Sequence, residues 1–181
     1  MAGAHLETQA RLVVSGVGAD GRSTIVSDAD STVRVATPGF TVCELWQTDS
    51  LPTPVLADSS LGTDPVIDPP AAGLVVRIAS FPPDAEFDPQ AYAESLEAFG
   101  HDDAHGGTED TPDAAAGGAW HETDTVDVVT VISGEVYAVL EDSETLLKPG
   151  DTIVNRGVKH IWSNRTNEPC VIIATMMKGT R

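Results

Sequence analysis

The sequence predicts an all-β chain with one short helix, closed as a barrel or a sandwich. Three observations carry that reading. Short runs rich in Val, Ile and Thr recur along the chain, the type of residue that fits a pleated surface. Turn-forming pairs such as Pro38-Gly39 and Ser133-Gly134 separate many of them. Only one segment carries the start and stop punctuation of a helix.

Taken in order, strands are expected over residues 11–17, 23–27, 32–37 and 40–48. Ala19-Asp20-Gly21 and Pro38-Gly39 supply tight turns between them. Residues 51–73 are proline-rich without periodicity and read as a surface loop or arm. A further strand follows at 74–81. The helix is expected over 90–99: Asp88 caps its first amides, Pro89 takes the first helical position, and Gly100 stops it. Tyr92, Leu96 and Phe99 would share the face that packs on the sheet. Residues 101–118, rich in Asp, Gly, Ala and Thr, read as a loop whose His101 and His105 either cover a site or are plain solvated linker.

Strands then resume at 126–132, 135–140, 146–147, 152–154, 160–163 and 171–176. Ser133-Gly134 is read as a hairpin turn and Lys148-Pro149-Gly150-Asp151 as another.

Composition narrows the partners. With 10 Lys and Arg against 28 Asp and Glu, the net charge is −18, and no basic residue falls between Arg77 and Lys148. Nucleic acid and anionic membrane are therefore not expected, since both need a basic face. A hydrophobic content of 41% is enough to build a core despite that charge. No apolar run is long enough to cross a bilayer, and the first residues lack a basic start followed by an apolar stretch. The expectation is a soluble cytoplasmic protein. Cys43 and Cys170 sit inside apolar runs and read as small buried hydrophobes, although a disulfide between them stays open.

Chemistry concentrates in two segments. The first reads Trp120-His121-Glu122-Thr123-Asp124-Thr125-Val126-Asp127, followed six residues later by Gly134. The second runs from Gly150-Asp151 through Gly157-Val158-Lys159-His160 to Asn164. Together they resemble the two motifs of the cupin superfamily over about 60 residues. The resemblance implies a cupin jelly-roll barrel with one short helix before the motifs. It implies one domain over 1–181: N-terminal strands and proline-rich arm (1–82), helix and acidic loop (83–119), and cupin motifs (120–178). The earlier strands would supply the rest of the jelly roll.

Metal-binding cupins are expected to use His, His and Glu from the first motif and His from the second. Here His121 and His160 keep the first and last roles, Thr123 replaces the second His, and Asp127 replaces the longer Glu. Two imidazoles and one carboxylate match a three-ligand site for Zn, Fe, Mn or Ni. A metal-free pocket, with the histidines hydrogen-bonded to Asp127 or Thr123, is the alternative. Strand alternation would put His160, Trp162 and Asn164 on one face and turn Glu122 and Asp124 outward. Trp120 and Trp162 flank the histidines and could stack on a planar substrate or be ordinary core.

The implied function is an enzyme acting on a small organic molecule by lyase or isomerase chemistry. His160 is the expected base, with His121 and Asp127 orienting it or holding metal. Trp162, Thr123, Asn164 and Trp120 are the expected substrate contacts. A non-haem metal-dependent dioxygenase and a non-catalytic ligand-binding barrel are the alternatives. A homodimer is expected because open strand edges need cover.

Overall fold

The structure is a computed structural model that describes residues 2–63, 66–99 and 120–181. Its strands are β1 (Arg11–Val17), β2 (Ser23–Asp30), β3 (Arg34–Ala36), β4 (Thr41–Thr48) and β5 (Leu74–Phe81). After helix α1 (Pro89–Ala98) come β6 (Thr125–Ser133), β7 (Val136–Leu140), β8 (Glu144–Leu147), β9 (Thr152–Arg156), β10 (His160–Ser163) and β11 (Cys170–Lys178). The all-β expectation holds, and each expected strand is present within a few residues of its predicted limits.

A six-stranded sheet runs β3-β4-β5-β11-β6-β9, and a three-stranded sheet runs β10-β7-β8. The core forms from the inward side chains of both. On the central strands every second residue is buried: Val75, Arg77 and Ala79 on β5; Thr125, Asp127, Val129 and Val131 on β6; Ile172, Ala174 and Met176 on β11. That is the period-two alternation of a sheet with one face packed inward.

Two expectations are corrected here. Ser133-Gly134 does not close a hairpin, because β6 pairs with β11 and β9 whereas β7 pairs with β10 and β8. The turn is a corner that carries the chain from one sheet to the other. Gly134 takes φ 72°, and a Cβ there would lie 2.5 Å from the Pro169 carbonyl oxygen. Glycine is thus required by both conformation and space. The second correction concerns the early strands. Only β3, β4 and β5 join the large sheet, while β1 and β2 form a separate two-stranded ribbon with β2 exposed along its length.

Helix α1 starts as expected. The Asp88 carboxylate accepts from the Gln90 amide at 2.9 Å and the Ala91 amide at 3.3 Å. Tyr92 and Phe99 are buried edge-on against Phe40, with ring centroids 5.7 and 5.8 Å away. The Leu96 side chain, the expected stop at Gly100, and His101 and His105 lie outside the described residues. Cys43 and Cys170 are both free and buried, so no disulfide joins them. No described helix is long and apolar enough to cross a membrane.

Gly134→Ala is expected to destabilise the fold by about 2 kcal/mol or more, from the left-handed backbone and the clash together. Urea unfolding followed by circular dichroism measures it.

Candidate active site

A cavity of about 120 Å³, open to the outside, lies between the two sheets. A cavity of ~150 Å³ accepts benzene, so this one suits a ligand of similar scale. Most of its wall is apolar, including Phe40, Val129, Ile172 and Met176. The polar groups that reach it are His121, His160, Thr123, Asp127, Asn155 and Arg77.

The histidines meet through the backbone. His121 and His160 exchange amide-to-carbonyl hydrogen bonds of 3.1 and 3.0 Å as an antiparallel bridge. Directly opposed residues in such a pair send their side chains to the same face. Their ring centroids lie 4.3 Å apart with an interplanar angle of 55°. The convergence of these two residues, anticipated from the motifs, is therefore present in the fold.

His160 is 5% exposed, and its Nδ1 lies 2.8 Å from the Val158 carbonyl oxygen. A carbonyl only accepts, so Nδ1 carries a proton and donates it. In the neutral ring Nε2 then holds the lone pair. Burial lowers the His160 pKa, opposed by the bond to Val158, and so favours that neutral form. Trp162 meets the His160 ring edge-on at 5.6 Å, stacks on Phe81 at 6.2 Å and lines the cavity.

The other expected contacts divide. Thr123 lines the cavity, with its hydroxyl 2.6 Å from that of Thr125. Asp127 also lines it, buried on β6. Burial raises the Asp127 pKa, and the Thr125 hydrogen bond and the Arg77 charge oppose the rise. Its Oδ1 has no hydrogen-bond partner among the described residues.

Asn164 does not reach the cavity. Strand β10 ends at Ser163, so the alternation that linked His160, Trp162 and Asn164 stops one residue short. The Asn164 amide donates to Glu168 O at 2.8 Å, and its oxygen accepts from the Thr166 hydroxyl at 2.7 Å. It holds a turn together. Trp120 is half-buried beside the core and is absent from the cavity wall; Lys159 Nζ lies 5.8 Å from its ring centre. Glu122 and Asp124 are exposed, as alternation implied, and pair with Arg181.

Three polar residues were not anticipated. Asn155 faces the cavity from β9, directly across from Asp127. Arg77 on β5 lines the cavity opposite Glu44 on β4, with Nη2 to Oε1 at 3.1 Å. Both side chains of that ion pair are almost fully buried. A signal was available: Glu44 and Arg77 are single charges inside otherwise apolar strand runs, and lone buried charges need each other.

Residues 109–176 match the family model described as Cupin domain. The chain contains a small cupin domain. The curated relatives are short matches. Phomopsin biosynthesis cluster protein D of Diaporthe leptostromiformis is 42% identical over 48 residues, 26% of this chain and 25% of that protein. Oryzines biosynthesis cluster protein J of Aspergillus oryzae is 48% identical over 46 residues, 25% of this chain and 26% of that protein. The match therefore spans about a quarter of each relative's length.

Among solved structures, a conserved protein with a double-stranded β-helix domain from Klebsiella pneumoniae is 18% identical. It covers 82% of this chain and 85% of its own, with a TM-score of 0.44. The Cnp3 cupin domain of Schizosaccharomyces pombe is 10% identical, covering 94% of this chain and 83% of its own, also at 0.44.

Cupin domains often hold metals, so the donors of this one matter. Among the described residues, no three His, Cys, Asp or Glu side chains gather as a metal site requires. His121 and His160 lie together, but Asp127 does not complete a group with them. It faces the same cavity from β6 in the large sheet, but Asp is a methylene shorter than Glu and reaches less far from its strand. Thr123, at the position of a further histidine, is a poor ligand. Among the described residues no three-ligand centre is formed, and His121 and His160 lie together as a pair.

The lowered His160 pKa has a testable sign. The unfolded chain binds a proton at this residue near pH 6.5, and the fold binds it only at lower pH. Stability should therefore fall as pH drops through about 6.5, levelling for this residue below its native value. Glu44 and Asp127, both raised by burial, act with the opposite sign by favouring the protonated fold. The difference between the wild-type protein and His160→Gln in urea unfolding from pH 5 to 8 isolates the histidine contribution.

Proposed function

We propose that the cavity is the active site of an enzyme that moves protons on a small organic molecule, in lyase or isomerase chemistry. The observation that carries this reading is the His160 hydrogen bond to Val158 O. It presets the tautomer in which Nε2 is the basic nitrogen. Burial favours the neutral base at ordinary pH. In the step proposed, Nε2 takes a proton from a C–H or O–H bond of the ligand, and the electron pair shifts into the ligand. The imidazolium keeps its Nδ1–H on Val158 O and returns the Nε2 proton to another ligand atom. In a dehydration that atom is the departing hydroxyl oxygen. In an isomerisation it is a second carbon.

His121, with its ring beside that of His160, orients the base or passes the proton on. Trp162 and Thr123 border the reacting face. Asp127 supplies a buried carboxyl on the facing wall. The mostly apolar wall of the cavity holds little water to compete for the base. Similarity to two biosynthesis cluster proteins supports a role in tailoring a small metabolite.

The proposed partners are that small molecule and a second copy of the chain. The β1–β2 ribbon leaves Val13, Val17 and Ile25 exposed at 45%, 51% and 56%. Val13 and Val17 share one face of β1, and Ile25 opposes Ser15 on that same face. A two-stranded ribbon has no other strand to cover its edges.

His160→Ala is expected to lower turnover by about 10²–10⁴-fold with the fold intact by near-ultraviolet circular dichroism. Activity of the wild-type protein should rise with pH and reach its plateau below the ordinary histidine value. Mass spectrometry of metabolite pools incubated with each protein supplies the readout; full turnover by the variant sinks the base assignment. A pocket that gains ligand-dependent thermal stability but never converts a ligand is a binding barrel instead. For the second copy, light scattering is expected to give twice the chain mass of 18.9 kDa. Val13→Asp together with Ile25→Asp should return it to the monomer value.

A further inference from the structure

Asp127 puts a carboxylate on the cavity wall with no cation to spare for it. Apart from the two histidines, the charged side chains that line the cavity are Arg77 and Asp127. Arg77 is engaged elsewhere: its Nη2 lies 3.1 Å from Glu44 Oε1 and donates to the Val66 carbonyl at 3.0 Å. Its Nε is sealed inside the protein. Histidines aside, Glu44 and Asp127 set against Arg77 leave one uncompensated negative charge, and it faces the cavity. A buried charge without its opposite is costly, and a ligand cation relieves that cost.

The open polar atoms around that charge are rich in acceptors. Asp127 Oδ1 is sealed, but Oδ2 keeps open surface, and on an inward position of β6 that surface belongs to the cavity. Asn155 on β9 is the register partner of Asp127 and lines the same cavity. Opposed side chains of such a pair stand on one face with Cβ atoms about 5 Å apart. Yet the two do not bond each other. Neither the Asn155 amide group nor Asp127 Oδ2 has a hydrogen bond among the described residues, and the Asn155 amide is not sealed either. An ammonium group matches this wall: it is compact, carries a positive charge and three donors, and has no acceptor. A ligand carboxylate would set acceptors against acceptors and add a second negative charge. A hydroxyl would satisfy one acceptor and leave the charge uncompensated.

We infer that Asp127 and Asn155 form a head-group subsite and that the cavity takes a primary amine, bound as its ammonium ion, with N–H groups donating to Asp127 Oδ2 and Asn155 Oδ1. This deepens the proton-transfer reading above by naming its substrate class, and it rests on that reading for the chemistry. The subsite lies on the large sheet and His160 on the small one, so the carbon skeleton of the amine runs from one toward the other. Phe40, Val129 and Ile172 give that skeleton an apolar lining.

The test uses three probes of similar shape, benzylamine, benzyl alcohol and benzoate, titrated by calorimetry at about pH 7, where the amine is charged. Thermal shift runs alongside. The wild-type protein should bind benzylamine about tenfold or more tightly than benzyl alcohol, the ratio expected for one hydrogen bond to a charged group, and benzoate most weakly. With a net charge of −18 the surface attracts any amine, but that attraction survives in Asp127→Asn. Asp127→Asn should nevertheless bind amine and alcohol about equally. Asn155→Leu should weaken the amine several-fold, and it carries the test if Asp127→Asn fails to fold. Benzyl alcohol or benzoate binding the wild-type protein as tightly as the amine overturns the inference. So does an amine preference that survives in Asp127→Asn, an amine affinity unchanged in Asn155→Leu, or no binding of any probe. His160→Ala separates the two proposals: it should keep the amine preference while turnover falls. If it keeps both preference and full turnover, the base assignment fails and the amine subsite stands.

Discussion

Period-two alternation along β5, β11 and β6 is the constraint on which the rest of the site depends. Each of these strands must send every second side chain into one interior, whatever its chemistry. Where those positions hold Val, Ile or Ala the interior is an ordinary core. Where they hold Arg77, Asp127 and Thr125 the same geometry buries charge and hydroxyl, and each of those groups then needs a partner from the opposite wall, from the next strand, or from a ligand. A one-residue slip of β6 would expose Asp127 and bury Val126 and Val128 instead, removing the polar half of the cavity while barely changing composition.

The interior divides by chemistry as well as by sheet. On the small sheet, the backbone bridge between residues 121 and 160 sets two imidazoles side by side, and the carbonyl of Val158 selects which nitrogen of His160 is basic. On the large sheet, Arg77 and Asp127 are buried without complete hydrogen bonding among the described residues. A pair like Glu44–Arg77 adds little net stability over apolar residues of similar volume, because removing two charges from water offsets most of their attraction.

The supporting parts have separate duties. Tyr92 of helix α1 and Phe99 just after it pack on Phe40 along the apolar side of the cavity. Gly134 turns the chain between sheets at a point where the backbone of 169–170 leaves no room for a side chain. Asn164 ties the turn that follows β10, accepting from Thr166 and donating to Glu168, while Asp84 binds its backbone amide. That turn keeps the β10 histidine in place without taking part in its chemistry.

The sequence by itself determined the elements and the histidine pair. Runs of β-branched residues, turn glycines and the Asp88–Pro89 start are local signals, and local energetics suffice to read them. Strand parity also placed Glu122 and Asp124 outside, on the face opposite His121 and Thr123. What needed the tertiary structure was every fact about which strands pair and where they end. Ser133-Gly134 has the chemistry of a hairpin, and only the pairing of β6 with β11 and of β7 with β10 makes it a corner. Asn164 obeys the parity of His160 on paper, and only the end of β10 at Ser163 removes it from the cavity. Asp127 belongs with the histidines by motif and faces the same cavity, yet it gathers no three-donor group with them among the described residues. Arg77 and Glu44 are 33 positions apart, and only antiparallel register makes them neighbours. Long-range register is set by the packing of the whole interior, so no short stretch of residues encodes it.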